Sequence, residues 1–335
     1  MTLSFQVLGD AGKDNALLVT IDRGQAISRL LFDCGEGCLS RLPFAEIQAI
    51  DHLLFSHFHM DHVAGFDSFF RCVYGRTDRS NHVWGPAGTS DILHHRFQGF
   101  LWNLVAGMQA AWHVHDLYLG RLASHRFELA EAFAQAHVEE ERSWVRIFLE
   151  GPGYTVESLL MDHGTPSVAY IVRETPRINV DSAKLATLGL RPGPWLQRVR
   201  GTRADEAEVI VVEGAPRSVR ELQDALVRVK PGDAVAYLTD FRLDSGATDR
   251  LAEALLGVGT VVCESQYRHA DEELAVRNYH MTTTQAAKLA RRARVGRLVL
   301  FHLSDRYRAE EWRAMLAEAQ AIFPATNFPD HWAAC

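Results

Sequence analysis

The sequence predicts an α/β fold of layered sheets and helices, on three observations. Short apolar runs alternate with helical patterns along the chain, several runs end in a histidine or acidic residue, and no repeat, low-complexity tract or Gly/Ser linker interrupts them. From the N-terminus, residues 4–8, 17–21, 30–32 and 52–55 read as strands, being short, apolar and rich in β-branched or aromatic residues. Residues 66–74 and 90–97 follow with helical spacing. Strand runs resume at 145–149, 156–161, 168–172, 209–212, 234–238, 260–263 and 298–301, with helical patterns at 219–229, 247–256, 283–294 and 308–322 between or after them. The simplest organisation is a single domain over 1–335 with a projecting arm at about 173–215.

Composition narrows the class. With 335 residues, 47% of them hydrophobic and 23% charged, the chain has an ordinary globular make-up. Its apolar runs fall short of the ~20 residues of a membrane helix. The first ten residues lack the basic start and apolar stretch of a signal peptide, so a cytoplasmic location and no membrane partner are expected. Five cysteines, an odd number at irregular spacing, point to reduced thiols rather than a disulfide framework. A net charge of −7 argues against a protein that coats nucleic acid, although it leaves room for a local basic surface. Sixteen histidines are the unusual feature, since imidazole is the commonest metal ligand.

Five strand candidates end in ligand-type residues. The run at 52–55 leads into His57, His59, Asp61 and His62; the others end at Asp162-His163, Asp240, Glu264 and His302. Strand ends feeding loops are where α/β proteins place chemistry, because the sheet fixes the backbone while the loop frees the side chain. The His-x-His-x-Asp-His run is the densest: three imidazoles and a carboxylate within six residues suit Zn²⁺, and a tight loop can aim alternate side chains at two neighbouring ions.

At this motif the chain resembles the metallo-β-lactamase superfamily, which implies an αββα sandwich. The resemblance narrows to the ribonuclease Z family through Phe32-Asp33-Cys34-Gly35-Glu36-Gly37, Gly85-Pro86-Ala87-Gly88, His163 with Pro166-Ser167-Val168-Ala169-Tyr170, Thr239-Asp240, His280-Met281-Thr282-Thr283 and His302-Leu303-Ser304-Asp305-Arg306-Tyr307. Gly189-Leu190-Arg191-Pro192-Gly193-Pro194 adds to it, falling where that family carries a tRNA-binding arm. The resemblance implies that His57, His59 and His163 hold one zinc ion, that Asp61, His62 and His302 hold a second, and that Asp240 bridges them. Manganese or iron(II) are alternative occupants. It also implies a homodimer and a Glu264–His280 pair beside the metals. The departures are Cys263 before Glu264, where the family usually has His, and Ser265-Gln266 after it.

Two bridged metals lower the pKa of a bound water and clamp the attacking and leaving oxygens of an in-line displacement. The expected reaction is therefore phosphodiester cleavage by metal-activated hydroxide, and the resemblance implies that it removes the 3′ trailer from precursor tRNA. Asp61 would serve as ligand and proton acceptor, and Glu264 would orient His280 to protonate the departing 3′ oxygen. Asp33, Asp162 and Thr239 are candidates for orienting the imidazoles. Residues 173–203 hold seven basic side chains against two acidic ones, so Arg191, Arg198 and Arg200 are expected to meet RNA phosphates. The competing enzyme reading is a hydrolase of a small phosphodiester, thioester or other ester, with the arm reused for dimerisation. A binding protein that had lost catalysis should have lost ligands first, and the set here is complete.

Overall fold

The computed structural model describes residues 2–105 and 107–332. Strands β1 (Thr2–Leu8), β2 (Ala16–Asp22), β3 (Ile27–Phe32), β4 (His52–Leu54), β5 (Asn81–Pro86), β6 (Ala111–Tyr118), β7 (Arg121–Glu128) and β8 (His137–Ser143) form one sheet in chain order. Its centre, from β3 to β6, is parallel and its flanks are antiparallel. A second sheet begins with β9 (Ile147–Gly151), β10 (Tyr154–Asp162) and β11 (Pro166–Glu174). The chain then makes an insertion containing β12 (Arg177–Val180), β13 (Val209–Val212), β14 (Ala215–Ser218) and β15 (Val227–Lys230). It returns to complete the second sheet with β16 (Ala234–Leu238), β17 (Thr260–Glu264), β18 (Arg297–Phe301) and β19 (Thr326–Asn327), in the order β19-β18-β17-β16-β11-β10-β9.

Strand alternation assigns each side chain to a layer. In β2, Leu17, Val19 and Ile21 face the space between the sheets, where they join Tyr170, Val172, Val235 and Tyr237, while Ala16 and Leu18 face outward. The outer face of the first sheet is covered by Phe66, Phe69 and Phe70 of helix Phe66–Val73 and by Leu93 and Phe97 of helix Thr89–Phe97. Leu251 and the Ala286, Leu289, Ala290 stripe of helix Thr283–Ala293 cover the other sheet. Strands buried on both faces read as continuous apolar runs, which is why these were visible in the sequence. The layers are those of an αββα sandwich.

Strands β5 to β8 carry no such signal. In β6, Trp112 and Val114 face the helices, but the alternate positions are His113 and His115, and β5 presents His82 in the same way. β8 is an edge strand with three consecutive glutamates, which blunt an otherwise open edge. The helix expected over 219–229 stops at Leu226; Val227 and Val229 belong to β15, which pairs with β12. β-branched residues at alternate positions favour the extended partner once one is available.

The insertion Glu174–Gly232 is a compact unit of its own, longer than the arm expected from the sequence because the β13–β14 hairpin, helix Val219–Leu226 and β15 belong to it. Its core is Leu185, Leu190, Val199, Val212, Leu222 and Leu226. Cys34, Cys38, Cys72 and Cys263 are free thiols, as expected, while Cys335 lies outside the described residues. No helix among the described residues is long and apolar enough to cross a membrane.

Strands β4 to β6 carry a histidine ladder. His52, His82 and His113 are register neighbours across β4, β5 and β6, with successive rings 5.1 and 4.9 Å apart. Trp84 stacks on His115 at 3.7 Å and donates its indole N–H to His52 Nδ1. Burial pushes His52 down to about 4; burial and its neighbours push His82 down to about 3 and His115 well below the usual range. These imidazoles are neutral in the fold and take up protons near pH 6.5 when unfolded, so their stabilisation is complete above that pH and is lost as pH falls toward 4. Each is expected to cost up to about 1.4 kcal/mol per pH unit below 6.5. Urea midpoints should therefore fall steeply between pH 7.5 and 5, and less steeply in His82→Gln, with metal loss common to both proteins. Equal slopes for parent and variant would remove His82 from this account.

Candidate metal centre

The centre is built at the ends of β4, β10, β16, β17 and β18. After β4 the chain turns through Ser56, His57, Phe58 and His59, the N-cap of the short helix Met60–Val63 that carries Asp61 and His62. Asp33, at the end of β3, organises this loop. It is fully buried, and its carboxylate accepts from the Ser56 backbone N–H (2.7 Å), the Ser56 hydroxyl (2.7 Å), His62 Nδ1 (2.8 Å) and the Tyr237 hydroxyl (2.8 Å). Holding His62 by Nδ1 leaves Nε2 facing inward, 3.2 Å from Asp240 Oδ2 and 3.4 Å from Asp61 Oδ2.

His57 tests whether the donor set suits a metal. Its Nδ1 lies 3.0 Å from the Ser56 hydroxyl, whose proton goes to Asp33, so His57 Nδ1 donates and Nε2 keeps a lone pair. That Nε2 is buried and has no hydrogen-bond partner. Burial, with the neighbouring His62 imidazole, pushes His57 down to about 2, so the ring stays neutral and basic only toward a Lewis acid. His57, His59 and His163 bring ligand atoms within 4.8 Å of one another; so do Asp61, His62, Asp240 and His302, and so do Asp240, Glu264, His280 and His302. Neutral imidazole and carboxylate in these proportions fit zinc.

Asp240 joins these groups. Its Oδ1 accepts from the Thr239 hydroxyl at 2.7 Å, while Oδ2 lies 3.2 Å from His62, 3.8 Å from His57 and 3.9 Å from both His163 and His280. Burial alone would raise its pKa, but the facing His302, His62 and His280 rings hold it well below the carboxylate range. His62 is the converse: burial lowers it, and Asp240 and Asp33 raise it well above the imidazole range. His302 approaches Asp61 at 3.2 Å and Gln266 at 3.4 Å.

Glu264, fully buried at the end of β17, accepts from the Met281 backbone N–H at 3.0 Å and lies 3.3 Å from His280 Nδ1. Burial lowers the His280 pKa, but Glu264 and Asp240 outweigh it and raise it to about 9. Nine of the ten residues singled out by the sequence at the strand ends and at His280 thus come together, Asp162 being the exception. Asp162 does not orient an imidazole: it is exposed and accepts from the Gly164 backbone N–H at 2.9 Å, closing a turn. His163 is oriented instead by the Tyr279 carbonyl, 2.8 Å from Nδ1.

Tyr279, Tyr237 and Asn15 were missed in the sequence. Asn15 is buried and accepts from the His302 backbone N–H at 3.3 Å. Asp33, Tyr279 and His302 all adopt the left-handed backbone conformation, with φ of 58°, 58° and 54°. Non-glycine residues held there cost energy and gather at functional sites.

In the insertion, Arg198 is clamped by both carboxylate oxygens of Glu208 and by the Thr202 carbonyl. Arg203 pairs with Asp224, Arg220 with Glu206 and Arg228 with Asp181. Across Glu174–Gly232, ten basic residues meet eight acidic ones, so most of the charge in the basic window is neutralised locally. Arg191 and Arg200 are exposed, and neither side chain forms an ion pair among the described residues.

Residues 28–171 match the model of the β-lactamase superfamily domain. The chain is 48% identical over 330 residues to the ribonuclease Z of Deinococcus radiodurans, covering 98% of each protein. Among solved structures it resembles the metallo-β-lactamase fold protein YhfI of Bacillus subtilis, at 14% identity and a TM-score of 0.57 over 98% of this chain and 96% of that one. It also resembles the short form of human tRNase Z, at 15% identity and a TM-score of 0.51 over 90% and 93% of the two chains. At such identities the structural likeness speaks for the fold.

Proposed function

The chain belongs to the ribonuclease Z family, and from that premise we propose that it is a two-zinc endonuclease that removes the 3′ trailer from precursor tRNA. The observation that carries the reading is Asp240, a buried carboxylate whose Oδ2 faces His57 and His163 of one donor group and His62 of the other. Two ions so bridged would supply an activated water and a clamp for the phosphoryl oxygens. His57, His59 and His163 would hold one, and Asp61, His62 and His302 the other. Asp33, Thr239 and the Tyr279 carbonyl fix the ligand rings and carboxylate before substrate arrives. Asp61 turns Oδ2 to His62 and His302, and with its side chain 43% exposed it would take a proton at Oδ1. Glu264 holds His280 by Nδ1, leaving Nε2 to give a proton to the departing 3′ oxygen.

We further take the working unit to be a cytoplasmic homodimer. The four free thiols suit a reducing compartment, and Leu101 and Leu104, 94% and 85% exposed, offer the kind of apolar surface that a second copy covers.

The decisive comparison is cleavage of a 3′-extended precursor tRNA against hydrolysis of a small chromogenic phosphodiester by one zinc-loaded preparation. Cleavage of the small ester alone would favour the small-substrate hydrolase. Within the insertion, Arg191 and Arg200 are among the side chains open to RNA phosphates, whereas Arg198 is committed to Glu208. The double change Arg191→Ala/Arg200→Ala should lower kcat/KM for precursor tRNA about 10-fold or more relative to the small ester, chiefly through KM, and should flatten the salt dependence of RNA binding. A parallel loss on both substrates would assign the insertion a structural role.

A further inference from the structure

Beside the metal centre stands an arginine that the fold positions but does not pair. Arg242 follows Asp240 by two residues, and its backbone N–H donates to the Asp162 carbonyl at 3.0 Å. Its guanidinium carbon lies 5.3 Å from the centroid of the Tyr279 ring. Among the described residues this guanidinium forms no ion pair and no hydrogen bond, although Asp61, Asp240 and Glu264 are all part of the adjoining site. None of its nitrogens is a buried orphan, so its donors reach solvent. Other arginines of the same body are tied to acids, as Arg146 and Arg173 are to Glu157 and Arg268 is to Asp271 and Glu311, while Arg297 and Arg306 lie over the rings of Phe5 and Tyr267.

The Tyr279 ring is where it is because of a backbone strain. At φ 58° a bulky residue is out of its preferred region, and two contacts come from that conformation. The carbonyl meets His163 Nδ1 at 2.8 Å, and the ring lies against Gly164, itself at φ 72°, where a Cβ would come within 3.5 Å of a ring carbon. The shell that aims a metal ligand thus also supports Arg242. A guanidinium with one face on an aromatic ring keeps its N–H fork free and loses little side-chain freedom when it meets two oxygens of a phosphate.

We propose that Arg242, held on Tyr279, grips a backbone phosphate of the RNA strand next to the one being cleaved. The inference rests on the reading of this site as a ribonuclease. A polynucleotide brings a flanking phosphate that a simple diester lacks, and Arg242 places an unengaged cation within two residues of Asp240 to receive it.

The test uses the zinc-loaded full chain with Arg242→Ala and Arg242→Lys, after equal zinc content and melting temperature have been verified. Precursor tRNA is compared with a small chromogenic diester carrying a single phosphate. Arg242→Ala should lower the ratio of kcat/KM for RNA to that for the small ester by about 10- to 100-fold, mainly through KM, as the loss of a charged hydrogen-bonding pair predicts. Arg242→Lys, which keeps the charge but not the fork, should recover part of that ratio. The slope of log affinity against log salt should fall by about 0.7 for a precursor carrying a non-hydrolysable bond at the cleavage site. Equal losses on both substrates, or an unchanged salt slope, would overturn the phosphate grip alone. A wild-type protein that ignores precursor tRNA would overturn the functional reading and this inference with it.

Discussion

Asp240→Ala is expected to take bound zinc from about two ions per chain to well below one, and with it all measurable turnover. The expectation comes from the sharing of one oxygen. Oδ2 faces His62 at 3.2 Å, His57 at 3.8 Å and His163 at 3.9 Å, so its removal opens both donor groups at once. His163→Ala removes a ligand from one group only and should leave the second ion in place. Alanine at 240 also deprives the His62, His280 and His302 rings of the carboxylate that opposes their burial, so the metal-free variant should melt below the metal-free parent. Metal analysis after dialysis decides the point: full occupancy in Asp240→Ala would take this residue out of the bridge.

The second large effect is kinetic. Glu264→Ala and His280→Ala should each keep most of the zinc and slow precursor-tRNA cleavage by about 10²- to 10⁴-fold, the usual range for a positioned proton donor. Glu264 lies 3.3 Å from His280 Nδ1 and is anchored by the Met281 N–H, so the two act through one proton and the double variant should be little slower than either single one. A substrate that departs as a stabilised phenolate needs no proton and should be spared most of the loss. If both single variants cleave the RNA at nearly the parent rate, His280 is not the donor; additive losses would separate it from Glu264.

How much of this was legible follows from where each signal resides. The His57–His62 run is local: four donors within one loop cannot avoid one another, so spacing alone announced a metal site. Asp240, Glu264 and His302 were found because each ends or follows a strand that reads as an apolar run, and His163 because it follows the Leu159-Leu160-Met161 end of a strand that Glu157 and Ser158 interrupt. The strands β5 and β6 were lost for the opposite reason, their alternate positions being filled by His82, His113 and His115, which look polar in sequence, although burial holds His82 and His115 neutral in the fold.

The sequence by itself determined the layered α/β architecture, the donor types and the strand ends on which they sit, because these depend on residue type and short spacing. Only the tertiary structure decided what each donor faces. Tyr237 reaches Asp33 across 204 positions and Asn15 reaches His302 across 287, through a hydroxyl and an amide that carry no local pattern. Tyr279 acts on His163 through a backbone carbonyl, an atom every residue possesses. Asp162, beside His163 in sequence, turns instead to the N–H of Gly164, because adjacent residues at a strand end point to opposite faces. The arginines divide in the same way. Arg198 and Arg242 are alike in sequence, and what separates them is Glu208 folding back onto the first and a tyrosine ring, with no carboxylate, lying beneath the second. Charge is a property of the residue, but whether it is already spent on a neighbour is a property of the fold.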